Sequence, residues 1–171
     1  MEARIISLVE EIKNERRNRR AALSMQPPAS SERLQQFCEQ AIAKLEYYLP
    51  EAYLDLLRLA DGIDSNGFLL YASVTQLLAG HANRPDYSIE GFVDANLRWR
   101  EYGPNNQFVF FAETGDVVYC QNLNTGNFQI MDRIAQEVDS ESNVFGTCEK
   151  LLERLLNHML DRYDGTEETE S

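Results

Sequence analysis

Histidine and cysteine, the residues that most often serve catalysis and metal binding, are scarce in this chain. Its 171 residues include 2 histidines and 3 cysteines. Cys38, Cys120 and Cys148 are odd in number and form no CxxC pair, which argues against a disulfide framework and a zinc knuckle. No hydrophobic run approaches the roughly 20 residues of a membrane span, and the acidic start MEARIISLVEEIK does not resemble a signal peptide. We therefore expect a cytoplasmic protein that holds no metal or cofactor and binds no membrane.

Sequence strings associated with catalysis are also missing. HExxH, GxSxG, GxGxxG and GxxxxGK[ST] do not occur. His81 lies in the polar loop Gly80–Asp86, and His158 lies in the last predicted helix, where a solvated or partly packed histidine is the ordinary outcome. Cys38 and Cys120 are expected to be small core residues, although a Cys–His pair formed in space would not be visible in a sequence. We expect no enzyme, with an enzyme of unrecognised type as the alternative.

Negative charge is in excess, and it is unevenly distributed along the chain. The 28 acidic and 16 basic residues give a net charge of -12. Residues 1–60 contain nine residues of each sign, so the residues after position 60 carry the whole excess. Such a field repels nucleic acid and attracts basic partners, although acidity also serves solubility. The arginines of Arg16–Arg20 are either a nucleic-acid-binding patch or the solvated side of a helix. We favour the solvated side, because the net charge is -12 and no aromatic residue is interleaved with the arginines.

Helical spacing of apolar residues, together with capping residues, predicts several helices. The first is amphipathic and covers residues 2–23, with Ile5, Leu8, Val9 and Ile12 on its apolar side. Its apolar stripe either packs on the rest of the chain or mediates dimerisation. Further helices are predicted from Ser30 or Ser31 to Tyr48, at 51–59, at 88–102 and at 147–163, with a helical turn at 74–78.

The β-structure is predicted to centre on residues 107–132. Three β-rich runs joined by Gly-bearing turns predict an antiparallel meander there, and Phe68–Tyr71 predicts a further strand. Phe108–Phe111 is apolar on both faces, which indicates a central strand covered on both sides. We therefore expect an α+β fold with a twisted antiparallel sheet flanked by helices. Its domain spans residues 30–163, after an N-terminal helix and linker at 1–29 and before an acidic tail at 164–171.

The segment LPEAYLDLLRLADGIDSNGFLLY, at residues 49–71, resembles the signature of the SUKH superfamily of cell-wall-assembly-regulator-like and bacterial immunity proteins. The shared pattern is a Leu-Pro, an aromatic residue, a Leu-rich helix, an (Asn/Asp)-Gly, then a glycine and a strand ending in an aromatic residue. The matching residues are Leu49, Pro50, Tyr53, Leu56, Leu57, Asp61, Gly62, Gly67 and Tyr71. Similarity to the YrhA-like branch extends from about residue 35 to 162. One departure is Asp61, which stands where asparagine is commoner.

The resemblance implies an α+β fold and a role without chemistry. Similar members are mostly immunity proteins that bind and block a cognate toxin domain, often a nuclease, and some eukaryotic relatives are regulatory scaffolds. A toxin that acts on nucleic acid carries a basic site, which a negative surface attracts. We predict that this chain binds a basic toxin or effector protein, with a non-catalytic adaptor as the alternative. The predicted partner-binding residues are Asp61, Asp64, Glu113, Asp116, Asp132, Glu137, Asp139 and Glu141. Tyr87, Trp99 and Tyr102 are either aromatic anchors for the partner or core residues.

Overall fold

The protein combines helices with antiparallel strands in the computed structural model, which describes residues 3–18, 24–78 and 87–163. The helices within these ranges are α1 (Ala3–Asn18), α2 (Ser31–Leu45), α3 (Glu51–Leu57), α4 (Phe92–Arg100) and α5 (Cys148–Met159). The strands are β1 (Ser24–Met25), β2 (Ile63–Ser65), β3 (Phe68–Leu70), β4 (Gln76–Leu77), β5 (Ser88–Ile89), β6 (Phe108–Glu113), β7 (Val117–Asn122), β8 (Phe128–Asp132) and β9 (Val144–Phe145). Short 3-10 helices cover Gly103–Gln107 and Glu141–Asn143. None of the helices in the described ranges has the length and apolar character needed to cross a membrane.

Seven strands form one antiparallel sheet in the order β1-β2-β3-β6-β7-β8-β9, and β4 pairs with β5 in a separate ribbon. The predicted meander is confirmed as β6, β7 and β8, with the register shifting once between Phe110 and Ala112. β6 is the middle strand, and Phe108, Val109, Phe110 and Phe111 are all buried. Alternate strand residues point to opposite faces, so both faces of this strand are covered, as predicted. The fold is therefore α+β.

Capping residues set where the helices begin and end. The Ser30 hydroxyl accepts a hydrogen bond from Arg33 N at 3.0 Å and starts α2, and the Thr147 hydroxyl caps α5 in the same way. α2 stops three residues before the predicted end, because Glu46 takes the left-handed conformation with φ 52°. Pro50 is the N-cap of α3 and not its first residue, and this helix ends at Leu57.

The first helix belongs to the same hydrophobic core as the sheet. Ile5, Leu8, Val9 and Ile12 are buried, as the helical spacing predicts, and α1 packs along α5. Of the two roles considered for this stripe, packing on the domain is therefore the observed one. Formation of a homodimer stays a prediction. Residue 2 and residues 19–23 of the predicted helix lie outside the described ranges.

The region between β3 and α4 departs from the prediction. The expected helical turn at 74–78 is wrong, because Gln76 and Leu77 form β4 and pair with β5. Backbone pairing across the chain overrides the local pattern there. The helix expected from residue 88 begins at Phe92, after Gly91. A Cβ on Gly91 would lie 2.5 Å from Thr75 N, so only glycine permits this close approach of the two segments.

One strand was missed, and two apolar residues are more exposed than expected. β2 pairs with β3 through the two-residue turn Asn66–Gly67, in which both residues have positive φ. Asn-Gly is the strongest short-range hairpin signal, so the sequence did contain the information. The pattern of apolar residues also predicts Ile42 and Leu97 on the apolar sides of their helices, but they are 42% and 38% exposed. The predicted loop 80–86 with His81 and the acidic tail 164–171 lie outside the described ranges.

Candidate protein-binding surface

Asp61 is a buried structural residue and does not lie on the surface as predicted. It is 5% exposed. Its carboxylate accepts hydrogen bonds from Ser73 N at 2.7 Å, from Ser73 Oγ at 2.8 Å and from Gln76 Nε2 at 3.1 Å. These bonds satisfy a charged group that would be costly to bury alone. Asp61 therefore ties the segment after α3 to the segment after β3, and we remove it from the candidate surface.

Glu113 is also mostly buried, and it pairs with two arginines. Its side chain is 12% exposed, and its carboxylate accepts from Arg98 Nη2 at 3.1 Å and from Arg133 Nη1. Arg98 binds a second carboxylate, that of Glu90, through Nη2 at 2.8 Å and Nε at 3.0 Å. The two acids and two arginines form a compensated cluster, which we call the inner charge cluster. The hydrogen bonds that Arg98 donates to Glu90 raise the pKa of Arg98 above its ordinary value.

Trp99 anchors the inner charge cluster to the core. The guanidinium carbons of Arg98 and Arg133 lie 5.0 and 5.1 Å from its ring centroid, within range of cation–π attraction. Its Nε1 donates to Tyr71 Oη at 3.0 Å, and burial together with the nearby Glu113 charge raises the pKa of Tyr71. Trp99 is only 7% exposed, so of the two roles considered for it, aromatic anchor or core residue, the core role is the observed one.

Five of the predicted acids remain exposed and meet at one end of the sheet. The β6–β7 turn carries Asp116, whose carbonyl oxygen accepts from Arg133 N at 2.9 Å. Asp132 N in turn donates to the carbonyl oxygen of Glu137 at 2.9 Å. Within the described residues no ion pair involves any of these side chains. We call this set the acidic surface, and its members are Asp116, Asp132, Glu137, Asp139 and Glu141.

Asp64, the remaining predicted acid, lies beside this end of the sheet. It is exposed on β2, and the register places it opposite Leu69, which is opposite Glu113. Adjacent antiparallel strands are about 5 Å apart, so the Asp64 and Glu113 backbones are about 10 Å apart. Apart from Asp61, the predicted acids therefore do gather in one region, with Glu113 paired inside it.

Sequence reasoning missed an exposed isoleucine in the loop that follows Asp132. Ile134 is 92% exposed and directly follows the Asp132–Arg133 pair. The Asp132 carboxylate accepts from Ile134 N at 2.8 Å and Ala135 N at 2.7 Å, and this holds the loop in a turn. Gln136 Nε2 donates to Asn105 Oδ1 and ties the loop to the 3-10 helix after Tyr102. A single apolar residue in a polar loop carries no signal in sequence alone.

Two of the three predicted aromatic anchors are exposed. Tyr102 is 66% exposed and immediately precedes the 3-10 helix to which the Ile134 loop is tied. Tyr87 is 40% exposed next to β5, a strand of the separate ribbon. Tyr102 is therefore the aromatic residue that adjoins the acidic surface.

A groove of about 480 Å³ opens beside the acidic surface. Its walls come from the β2–β3 turn, the β6–β7 turn, the 3-10 helix at Glu141–Asn143 and the end of α5. Asp116 belongs both to the groove lining and to the acidic surface. The volume falls within the range of ordinary ligand-binding clefts, about 300–1,000 Å³. We call this cavity the hairpin groove.

A second groove, of about 450 Å³, lies between α2 and the start of α4. Its lining includes charges of both signs: Arg33, Glu39, Lys44 and Asp94. Asp94 accepts from Thr75 Oγ1 at 2.5 Å. Mixed charge gives this groove no preference for one sign of partner, in contrast to the acidic surface.

His158 lines the hairpin groove. The sequence predicts a solvated or partly packed side chain at this position of the last helix. It is 8% exposed, its Nδ1 is hydrogen-bonded to Tyr119 Oη at 2.7 Å, and its ring stacks on Tyr163 at 4.8 Å between centroids. Burial raises the pKa of Tyr119, so this hydroxyl keeps its proton at neutral pH. Among the described residues, no group of three or more histidine, cysteine or acidic side chains is arranged to hold a metal ion.

The cysteines occupy the positions expected of core residues. Cys120 and Cys148 are buried, and Cys38 is partly buried against the core. Burial raises the pKa of Cys120 and Cys148 above the ordinary value, so both thiols stay protonated at neutral pH.

Comparison with known proteins adds no family assignment. No family model matches the sequence, and no curated protein matches it. The resemblance to the SUKH superfamily therefore stays a prediction that rests on the residues at 49–71.

Proposed function

We propose that this chain is an immunity-type protein that binds and neutralises a basic toxin domain through its acidic surface. The observation that carries the proposal is the gathering of Asp116, Asp132, Glu137, Asp139 and Glu141 at one end of the sheet, exposed and without ion pairs among the described residues. Like charges held together repel one another, so this arrangement does not serve the stability of the isolated fold, apart from the two backbone hydrogen bonds that Asp132 accepts. A basic partner removes that repulsion.

In this proposal the inner charge cluster stabilises the fold and the acidic surface binds the partner. Acids of the inner charge cluster are compensated by Arg98 and Arg133 and stay within the fold. Those of the acidic surface are exposed at or beyond the strand ends: Asp132 is the last residue of β8, Glu141 begins a 3-10 helix, and the others lie in the connecting segments. A negative surface of this kind raises the rate of association with a basic protein by about 10- to 1,000-fold.

Ile134 and Tyr102 supply apolar contact within this charged surround. A charged surface by itself gives fast association, whereas tight binding needs a few desolvated anchor residues. Ile134, at 92% exposed, projects from the loop that Asp132 holds in its turn. Exposed apolar residues beside charged ones suit specific protein interfaces, which combine apolar anchors with polar contacts and bury on the order of 1,600 Å².

The proposal is tested by co-purification of this chain with the protein encoded by the adjacent gene. Binding kinetics of the two proteins are then measured. We expect the chain to bind this neighbour and to protect cells that express it. The triple variant Asp116→Asn/Glu137→Gln/Asp139→Asn is expected to lower the association rate constant about tenfold at low salt. Ile134→Ala is expected to raise the dissociation rate constant about tenfold.

A matched control removes the same number of charges from another element. Glu32, Glu39 and Glu46 are exposed acids of α2 and its C-cap, so Glu32→Gln/Glu39→Gln/Glu46→Gln should leave the association rate nearly unchanged. Equal effects of the two triple variants would mean that net charge, and not the acidic surface, governs binding. Absence of both binding and protection would reject the immunity role. A growth defect on deletion without any toxin challenge would instead favour the regulatory adaptor.

A further inference from the structure

We infer that the second groove, between α2 and the start of α4, binds an extended peptide segment with an acidic, a basic and an acidic side chain at alternate positions. We call this cavity the α2 groove. The inference does not depend on the proposed function, because the described lining of the groove includes no residue of the acidic surface. It rests on the shape of the groove, on the order of its charges and on the lack of ion pairs among its described lining residues.

The α2 groove is elongated, because one face of a helix forms its first wall. Arg33, Gln36, Gln40 and Lys44 recur at helical spacing, and all four line the groove. Arg33 and Lys44 are 11 positions apart on α2, which is about 16 Å at a rise of about 1.5 Å per residue. An extended chain advances about 3.3 Å per residue, so about five residues of a peptide cover this length.

The second wall is held in place by hydrogen bonds of Thr75. Its Oγ1 accepts from Gly91 N at 2.9 Å and donates to Asp94 Oδ2 at 2.5 Å. The close packing of Gly91 on this segment adds to the constraint, since a Cβ on Gly91 would lie 2.8 Å from Val74 Cα. The groove is therefore formed before a ligand binds, which lowers the cost of ordering on binding.

The charges on α2 follow the order positive, negative, positive along the groove. Arg33 and Lys44 stand at the two ends of the wall, and Glu39 lies between them. Alternate side chains of an extended segment point to the same side. A segment with an acid, a base and an acid at alternate positions therefore presents the complementary order of charges to this wall.

Asp94 adds a second negative charge near the middle of the groove. The ring centroids of Phe37 and Phe92 are 5.5 Å apart, which places the start of α4 beside the middle of α2. Asp94 follows Phe92 by two residues and lines the groove. The central position is therefore negative on both walls, whereas Arg33 and Lys44 make its ends positive.

The four charged side chains line one groove but do not neutralise one another. Within the part of the chain that the structure describes, none of Arg33, Glu39, Lys44 and Asp94 forms an ion pair. The Nε atom of Arg33 is buried without a hydrogen-bond partner. A buried donor without an acceptor is unfavourable, so this guanidinium loses no bond at Nε when it turns toward a ligand carboxylate. Charges of both signs are thus available to a ligand that carries both.

Gln36 and Gln40 supply polar contacts for the backbone of the segment. Both lie between Arg33 and Lys44 on the wall formed by α2. Each side-chain amide has an oxygen that accepts and a nitrogen that donates two hydrogen bonds. Such groups match the N–H and C=O of an extended peptide, whose backbone contacts give affinity while its side chains give specificity. The wall therefore suits a peptide better than an apolar ligand.

Synthetic pentapeptides test the groove directly. The probe is acetyl-Glu-Ala-Lys-Ala-Glu-amide, whose charge order is the same in both chain directions. The matched control is acetyl-Lys-Ala-Glu-Ala-Glu-amide, which has the same composition and net charge in a different order. Binding is followed by NMR through the amide of Gly91 and the methyl groups of Val74 and Val93, all of which line the groove. We expect a dissociation constant on the order of 1 mM for the probe, and about tenfold weaker binding of the control.

Two variants assign the effect to the groove. Lys44→Gln removes the positive charge at one end and should weaken binding of the probe about threefold, and Arg33→Gln should do the same at the other end. Lys150→Gln is the matched control, because it removes an exposed lysine that does not line the groove, and it should leave the dissociation constant unchanged. Lys44 is exposed, so the melting temperature of Lys44→Gln should stay unchanged, and this variant decides even if Arg33→Gln is unstable.

Several outcomes would overturn the inference. Equal binding of the probe and its matched control would mean that the groove does not read the order of charges. Tighter binding of acetyl-Lys-Ala-Glu-Ala-Lys-amide, the inverted pattern, would mean that the net charge of -12 governs binding. Absence of shifts at Gly91, Val74 and Val93 with the probe, or equal losses in Lys44→Gln and Lys150→Gln, would place the peptide elsewhere or nowhere. No toxin enters this test, so its failure leaves the proposed function standing.

Discussion

The inner charge cluster and the acidic surface are only a few residues apart along β6–β8, yet the fold treats their carboxylates in opposite ways. Glu90 and Glu113 are each within hydrogen-bond distance of an arginine, and both arginines rest against Trp99. Asp116 lies in the β6–β7 turn and Asp132 at the end of β8, but neither side chain has an ion pair within the described ranges. Charge that is compensated stabilises the fold, whereas charge that is left uncompensated is available to a partner.

The difference teaches how to distinguish structural from functional acids in an acidic protein. A carboxylate that accepts several hydrogen bonds and is nearly inaccessible, such as Asp61, is part of the architecture. A carboxylate that is exposed among like charges does little for the isolated fold. The comparison therefore predicts that substituting a buried, hydrogen-bonded carboxylate lowers the free energy of unfolding. Substituting exposed carboxylates among like charges should change it little and raise it slightly.

The largest effect is expected at Asp61. Asp61→Ala leaves Ser73 N and Ser73 Oγ buried without an acceptor, which should lower the free energy of unfolding by about 3 kcal/mol. Urea denaturation followed by circular dichroism measures this change. Asp139→Ala is the control at an exposed acid and should change the free energy by less than about 0.5 kcal/mol. A loss at Asp61 no larger than that of the control would mean that its buried hydrogen bonds contribute nothing.

An intermediate effect is expected in the inner charge cluster. Glu113→Gln leaves Arg133 without its carboxylate partner, while Arg98 keeps Glu90. We expect the free energy of unfolding to fall by about 1 kcal/mol, less than at Asp61, because both arginine side chains are about a third exposed. Glu137→Gln is the matched control on the acidic surface. Urea denaturation measures both free energies of unfolding. Equal values for Glu113→Gln and Glu137→Gln would mean that the inner charge cluster and the acidic surface do not differ in their contribution to stability.

The smallest effect, with the opposite sign, is expected on the acidic surface. Asp116→Asn/Glu137→Gln/Asp139→Asn should raise the free energy of unfolding by a few tenths of a kcal/mol at low salt, because it relieves repulsion between like charges. At about 1 M salt the screening length falls to about 3 Å, and the difference from the unsubstituted chain should vanish. Thermal unfolding of both chains at the two salt concentrations measures this difference in stability. A clear loss of stability at low salt would show that these acids are compensated after all.

Much of the fold was predictable because it depends on local patterns. The meander followed from three β-rich runs and their glycine-bearing turns, and the start of α5 followed from a threonine cap. β2 was missed although its Asn66–Gly67 turn signals a hairpin. β4 could not be recognised, because a two-residue strand has no periodicity and forms only by pairing with β5.

The candidate site was predictable only in part. The excess of acids after position 60 indicated where a negative surface would form, and five of the predicted residues are exposed there. The burial of Asp61 depends on Ser73, a residue 12 positions further along that folds over it. The hairpin groove combines Asn66, Asp116 and Tyr163, and no sequence spacing connects residues so far apart.

The sequence by itself determined the sign of the charge, its position after residue 60, and the strands and helices that carry it. Tertiary structure alone decided which carboxylates are compensated, since pairing needs a few ångströms between groups that are distant in the chain. Glu113 meets Arg98 and Arg133, 15 and 20 residues away, whereas Asp116, three positions on, meets neither side chain. Coulomb attraction and hydrogen bonding act over distance in space, and only the folded arrangement sets that distance.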